Sequence, residues 1–270
     1  MVEPWFVPRV RRRGIILLTN DDGIRAAGLR ALERALRPLG ELWVVAPATE
    51  RSASSHSLNL RRPLRVERFG PRRWSVEGTP VDSVFVALFG LMPCRPDLVV
   101  SGINDGPNLG TDTIYSGTVA AAREAALRGV PGLAVSLTEG TDFGAAARVA
   151  TGVVRRMLAG AKWATAHGRG VLLNLNVPPA PKRGLVLGRL GRRTYPEEVR
   201  LGRRGGKIVS AWIGGYPVKA DGEEGADTRA VARGYPSLTA LTLDLTQHDA
   251  RKRFGGLLDS LTGEKRGGRR

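Results

Sequence analysis

The segment Gly14-Ile-Ile-Leu-Leu-Thr19 is continuously apolar and turns polar at once with Asn20-Asp21-Asp22-Gly23. A run so short and so uniform suits a strand buried on both faces, which occurs mainly in parallel sheets covered by helices. Leu29, Leu32, Ala35, Leu36 and Leu39 then recur at helical spacing, with Arg30, Glu33, Arg34 and Arg37 opposite, until Pro38 and Gly40 end the pattern. Leu42-Trp-Val-Val-Ala46 is a second buried strand. Strand, helix, strand in this order builds a parallel sheet through right-handed crossovers.

The alternation continues, with helices expected over Val81–Leu91, Thr118–Arg128 and Ala145–Ala159 and strands over Asp97–Ser101, Leu133–Leu137 and Val171–Val177. Leu58–Glu67 and Arg73–Val76 are expected as an antiparallel edge. Beyond Pro178, prolines, glycines and arginines dominate. Extended pieces are expected at Leu185–Arg189 and Lys207–Ile213, an alternating strand at Thr239–Leu245, and a last helix at Asp249–Leu261. The expected fold is α/β, a three-layer Rossmann-like arrangement around a mostly parallel sheet, with a C-terminal appendage bearing a β-hairpin. Its organisation would be an extension (1–13), a catalytic core (14–180), the appendage (181–261) and a basic tail (262–270) expected to be disordered.

Composition narrows the function classes. Hydrophobic content of 42% with 25% charged residues is that of a soluble globular chain, and no apolar run approaches the ~20 residues of a membrane span, so no membrane partner is expected. The N-terminal stretch has two prolines, an acid and no apolar h-region, unlike a secretory signal. Cys94 is the only cysteine, which excludes an internal disulfide and Cys-pair zinc sites and fits the cytoplasm. A net charge of +17 points to anionic partners, but the excess lies at Arg11–Arg13, Arg189–Arg204, Arg251–Arg253 and the tail. Solvated surface and nucleic-acid binding both accommodate that distribution.

In open parallel sheets ligands bind beyond the carboxyl ends of the strands, so three loops stand out: Asn20–Gly23, Pro47–Ser57 and Gly102–Gly117. Asp21 and Asp22 converge only if the chain turns there, as Gly23 permits; two close carboxylates then share a proton or a cation. Alternatively Asp22 caps the following helix and Asp21 faces water. The second loop is rich in hydroxyls and contains His56. In the third, glycines let backbone amides approach an anion, Asn104 and Asn108 are neutral ligands, and Ser116-Gly117-Thr118 opens a helix whose N-terminus is itself a phosphate site. The chain lacks G-x-G-x-x-G after the first strand, the P-loop pattern and a G-x-S-x-G elbow before Ser116. Cys94 lacks the arginine of a cysteine phosphatase loop, and the adjacent aspartates are not a D-x-D nucleophile motif.

These segments resemble the SurE (survival protein E) family of 5'-nucleotidases. The resemblance rests on Ile16-Leu-Leu-Thr-Asn-Asp-Asp-Gly-Ile24, Val44-Val-Ala-Pro47, Glu50-Arg-Ser-Ala53, His56-Ser57, Glu77-Gly-Thr-Pro80, Pro96-Asp-Leu-Val-Val-Ser-Gly-Ile-Asn104, Gly106-Pro-Asn108 and Tyr115-Ser-Gly-Thr-Val-Ala120. Asn174-Leu-Asn-Val-Pro178 and Asp227 to Tyr235 are also similar. The resemblance implies one divalent metal ion per subunit (Mg²⁺, Mn²⁺ or Ca²⁺) on Asp21, Asp22, Ser52 and Asn104. It implies hydrolysis of nucleoside 5'- and sometimes 3'-monophosphates, with polyphosphate cleavage in some members. It also implies a homodimer or homotetramer in which the appendage exchanges elements. Asp21 or Asp22 would orient or deprotonate the attacking water, and Asn20, Gly106, Asn108, Ser116, Gly117 and Thr118 would bind and neutralise the phosphate. His56 would protonate the leaving group or merely hydrogen-bond. Asp105, and Val81 and Ser83 around Asp82, depart from the family pattern. Rival expectations are a nucleic-acid-binding protein using the basic surface and a nucleotide sensor without catalysis.

Overall fold

The computed structural model describes residues 14–160, 170–204, 206–214 and 218–262. The extension 1–13 and residues 263–270 of the tail lie outside the described residues, while Thr262 closes the last helix. The first apolar run is β1 (Gly14–Thr19), followed by β2 (Gly40–Pro47), β3 (Val66–Gly70), β4 (Arg73–Val76), β5 (Leu98–Asp105), β6 (Gly132–Leu137) and β7 (Leu172–Val177). The C-terminal part adds β8 (Val186–Gly188), β9 (Arg193–Thr194), β10 (Val199–Arg204), β11 (Lys207–Ile213), β12 (Lys219–Ala220) and β13 (Ser237–Leu241). The helices are α1 (Ala27–Leu36), α2 (Pro80–Val86), α3 (Gly117–Leu127), α4 (Phe143–Ala159), α5 (Asp227–Ala232) and α6 (Ala250–Thr262).

Nine strands form one sheet in the order β3-β4-β2-β1-β5-β6-β7-β13-β8. It is parallel from β4 to β7, with β3 and β13 running antiparallel to their neighbours β4 and β7. The uniform apolarity of β1 has a simple cause. Ile16 and Leu18 point into the layer made by α1 and α4, and Leu17 into the layer made by α2 and α3. All three are fully buried, each worth roughly 1.5–3 kcal/mol against exposure. Gly28 brings α1 close to β5: a Cβ there would stand 2.0 Å from the Ile103 carbonyl oxygen.

Several expected boundaries shift for identifiable reasons. Leu58–Arg65 is loop rather than strand, because Asn59 gives its backbone amide and Nδ2 to Asp82 and Pro63 has no amide to offer. β13 stops at Leu241, not Leu245, because its partner β7 begins at Leu172, opposite Leu241. The helix expected over Val81–Leu91 changes character at Ala87, where the last turn widens to a π-turn. Asp82, which the family pattern retains between the departing Val81 and Ser83, completes a capping box with Thr79.

The most consequential shift is in β5, which runs on to Asp105 instead of stopping at Ser101. Ser101 pairs with Ala134 and Asn104 with Ser136, so β5 carries one extra residue, a bulge. Gly102 at φ +137° permits it, and a Cβ there would lie 2.3 Å from the Val135 carbonyl oxygen. Asn104 therefore stays paired near the end of β5, its register set by the bulge.

Candidate functional site

The turn after β1 is braced from inside. Asn20 is fully buried; its Nδ2 donates to the Gly23 carbonyl (3.0 Å) and its Oδ1 accepts from the Gly23 amide (3.2 Å). Gly23 takes φ +100°, which a side chain would strain. Asn20, expected to touch phosphate, is thus committed to the turn. The helix-cap reading of Asp22 is also overturned, because α1 starts only at Ala27 and its cap residue Ala26 makes no side-chain bond.

Asp21 does not face water: it is 3% exposed. Its Oδ1 accepts from the Thr118 hydroxyl, its Oδ2 from the Thr118 amide (3.1 Å), and its carbonyl from the Arg51 amide (2.7 Å). One residue of α3 thereby joins the turn after β1, and a hydrogen bond from Arg51 brings in the loop after β2. Thr118 Oγ1 also lies 3.2 Å from Asn104 Oδ1, but a hydroxyl has one proton to give, so Asn104 Oδ1 keeps acceptor capacity. Asn104 Nδ2 donates to the Gly106 carbonyl (2.8 Å). The predicted Asp21, Asn104 and Thr118 are brought together, with Asp22 next in the chain.

The electrostatics are acidic, against the sign of the whole chain. Burial raises the Asp21 carboxyl pKa, opposed by the Thr118 bonds and reinforced by Glu50. Asp22 is pushed up to about 7, first by burial, then by the charge of Asp21, with Asp105 and Glu50 adding and the Asp105 amide offsetting part. Asp105 is exposed, yet its charge reaches the pair. Such carboxylates share a proton or a cation at neutral pH. Ser52 is exposed, and its hydroxyl donates to Glu50 Oε1 (2.8 Å). Among the described residues no three His, Cys, Asp or Glu cluster as ligands, so a cation here would need neutral oxygens beside the aspartates. Asn104 and Ser52 are of that type, and an all-oxygen set suits Mg²⁺, Mn²⁺ or Ca²⁺.

Beside the aspartates lies the N-terminus of α3. Ser116 Oγ caps it by accepting from the Val119 amide (3.0 Å), and Thr118's amide is taken by Asp21. The Gly117 amide has no acceptor among the described residues. A Cβ on Gly117 would meet Ser54 Oγ at 2.9 Å and Asp21 Oδ2 at 3.0 Å, and that Ser54 hydroxyl is buried without a partner. A free amide at a helix N-terminus and an orphaned hydroxyl make a small anion cradle.

A model of the family described as "Survival protein SurE" matches residues 16–197. The chain belongs to the SurE family. It is 49% identical over 240 residues to a "5'-nucleotidase SurE" of Gemmatimonas aurantiaca, covering 87% of this chain and 94% of that relative. A protein of the same name from Anaeromyxobacter dehalogenans is 50% identical over 241 residues, covering 87% and 91%. The crystal structure of the Sure protein from Aquifex aeolicus superposes with a TM-score of 0.77 at 36% identity, covering 91% of this chain and all of the other.

In this SurE chain the remaining predicted residues have structural duties. The Gly106 amide donates to the Leu137 carbonyl (2.9 Å) and is not free for phosphate. Asn108 is buried: its amide donates to Asn176 Oδ1, its Nδ2 to Ser136 Oγ, and its carbonyl accepts from Asn174 and Asn176. His56 Nε2 pairs with Glu124 Oε2 (2.9 Å), and its Nδ1 is buried. Glu124 lies six residues beyond Thr118 on α3, about 9 Å along the axis. His56 thus links its loop to α3 through Glu124.

Sequence reasoning missed Ser54, Glu50 and Asp227. Ser54 was hidden among neighbouring serines. Asp227, fully buried, accepts from the amides of Gly110 (2.9 Å), Gly191 (2.8 Å) and Thr228 (2.8 Å), which pins the loop before α3 to the C-terminal segment.

Proposed function

We propose that this SurE-family chain is a 5'-nucleotidase, a hydrolase that converts nucleoside 5'-monophosphates to nucleoside and phosphate with one divalent ion (Mg²⁺, Mn²⁺ or Ca²⁺) per subunit. The observation that carries this reading is the meeting of Asp21, Thr118 and Asn104 beside the unpartnered Gly117 amide and Ser54 hydroxyl. Asp21, Asp22, Asn104 and Ser52 would hold the ion. When bound, such an ion polarises a phosphoryl oxygen and acidifies a water ligand.

The chain's own residues supply the rest. Gly117 and Ser54 bind phosphoryl oxygens, at the end of α3 where the helix dipole favours negative charge. Thr118 fixes Asp21 through both carboxylate oxygens. Asp22, the more accessible of the pair, accepts a hydrogen bond from the attacking water and takes its proton at a carboxylate oxygen as the new P–O bond forms and the P–O bond to the nucleoside breaks, the departing oxygen taking a proton from solvent. Nothing in this cradle reads the position of the ester on the sugar, so nucleoside 3'-monophosphates and short polyphosphate fit the same chemistry.

A homodimer or homotetramer is part of the proposal. The β10–β11 hairpin leaves Trp212 72% and Ile213 89% exposed, and α6 leaves Leu261 exposed, which suits surfaces covered by another copy. Lone Cys94 suits a reducing cytoplasm. Phosphate release from nucleoside monophosphates, assayed with each of the three metals and after chelation, tests the reading. Metal-dependent release is expected. Release that survives thorough chelation, or salt-sensitive nucleic-acid binding with no release, overturns it.

A further inference from the structure

Directly before the cradle, the chain exposes two large apolar side chains: Ile114 is 60% and Tyr115 63% exposed. They are not on a loose loop. The Tyr115 amide donates to the Asp112 carbonyl (3.0 Å), its carbonyl accepts from the Ser55 amide (3.0 Å), and the Ile114 carbonyl accepts from Ser55 Oγ (2.8 Å). The same turn is held from the C-terminal side: Tyr195 Oη donates to Asp112 Oδ2 (2.8 Å), and Arg193 forms an ion pair with the same oxygen. Tyr195 is itself 44% exposed, with the Arg193 guanidinium 5.8 Å from its ring centroid. Two tyrosines and an isoleucine thus surround one rigid turn, although exposed aromatic surface gains nothing for the fold.

Tyr115 stands two residues before Gly117, at most about 7 Å along the chain. In a nucleoside monophosphate the base is one sugar away from the phosphate. A ligand whose phosphate meets Gly117 and Ser54 therefore carries its base into the neighbourhood of this rim. Aromatic rings stack on any base, because every base has a π-face.

We infer that Tyr115, with Tyr195 across the Asp112 turn, is the nucleobase platform of this enzyme, stacking on the base and accepting all common bases, purines more strongly than pyrimidines. The inference rests on the nucleotidase reading for the origin of the base. It assigns Tyr115 to specificity: the ring binds the base and takes no part in bond breaking.

Two measurements on the full chain test it: adenosine affinity by equilibrium dialysis, and the ratio of kcat/KM for AMP to that for ribose 5-phosphate, which lacks a base. Tyr115→Ala is expected to weaken adenosine binding and lower the ratio, each by about 10-fold or more. The loss should be larger for AMP and GMP than for CMP and UMP, and Tyr115→Phe, which keeps the ring, should restore both quantities. An unmoved ratio together with unmoved adenosine affinity overturns the platform, even if AMP is hydrolysed. Tyr115-dependent adenosine binding by a chain that releases no phosphate from AMP retains the platform and sinks the nucleotidase reading instead.

Discussion

The carboxyl end of the parallel sheet and the C-terminal hairpin with α6 treat their side chains in opposite ways. At the sheet end, polar groups are buried and matched almost one to one: Asn20 to Gly23, Asp21 to Thr118, Asn108 to Asn174, Asn176 and Ser136. One unmatched atom, Ser54 Oγ, lies beside Asp21 at the Gly117 position. In the hairpin and α6, apolar groups such as Trp212, Ile213 and Leu261 stand exposed. On the proposed reading the first region is completed by small ions and the second by another copy of the chain. One chain thus carries two kinds of unfinished business, each legible from what is left without a partner.

The contrast breaks most sharply at Asp21. Asp21→Asn should lower AMP turnover by more than about 100-fold, since even groups one step removed from a metal commonly cost 10–100-fold; the folded signal in circular dichroism should persist. Retained turnover would falsify the assignment. Thr118→Val keeps the shape but removes the hydroxyl from Asp21, so turnover should drop about 10-fold or more and denaturant unfolding should show a loss of about 1–3 kcal/mol.

Glu124 sharpens the comparison through pH. Although burial by itself raises a carboxyl, the bonds from His56 and Arg128 win and hold it below its usual range. A depressed folded-state pKa contributes stability that is present above the unfolded value near 4.5 and is lost as pH falls through the folded value. Glu124→Gln should therefore cost about 2 kcal/mol at pH 7, and the two unfolding curves should converge in acid below that window. A constant difference across pH would show that the Glu124 carboxyl is not held below its ordinary range. The smallest effect on the fold is expected at the other region: Trp212→Ser with Ile213→Asp should shift the oligomer toward monomer in sedimentation. The monomer's own stability should move by no more than about 0.5 kcal/mol.

The sheet's central strands were legible because burial on both faces leaves an unmistakable apolar run, as in Leu17 flanked by Ile16 and Leu18. The meeting place of the three loops was legible too, since strand ends in a parallel sheet share an edge. What stayed hidden depends on distant partners. His56 reads as a free imidazole until Glu124, 68 residues later, comes beside it. Asn20 reads as a ligand because nothing local distinguishes an amide that faces a phosphate from one that folds back on its own turn. The bulge that sets the register of Asn104 is written in Gly102, but a glycine gives no direction until the Val135 carbonyl stands against it.

Asp227 has a consequence for how the protein comes into being. A chain leaving the ribosome presents its aspartate pair early, yet the carboxylate that locks the Gly110 turn is made 117 residues after that glycine. Through most of translation the cradle before α3 lacks its far anchor. Catalytic competence should mature only once Asp227 has emerged.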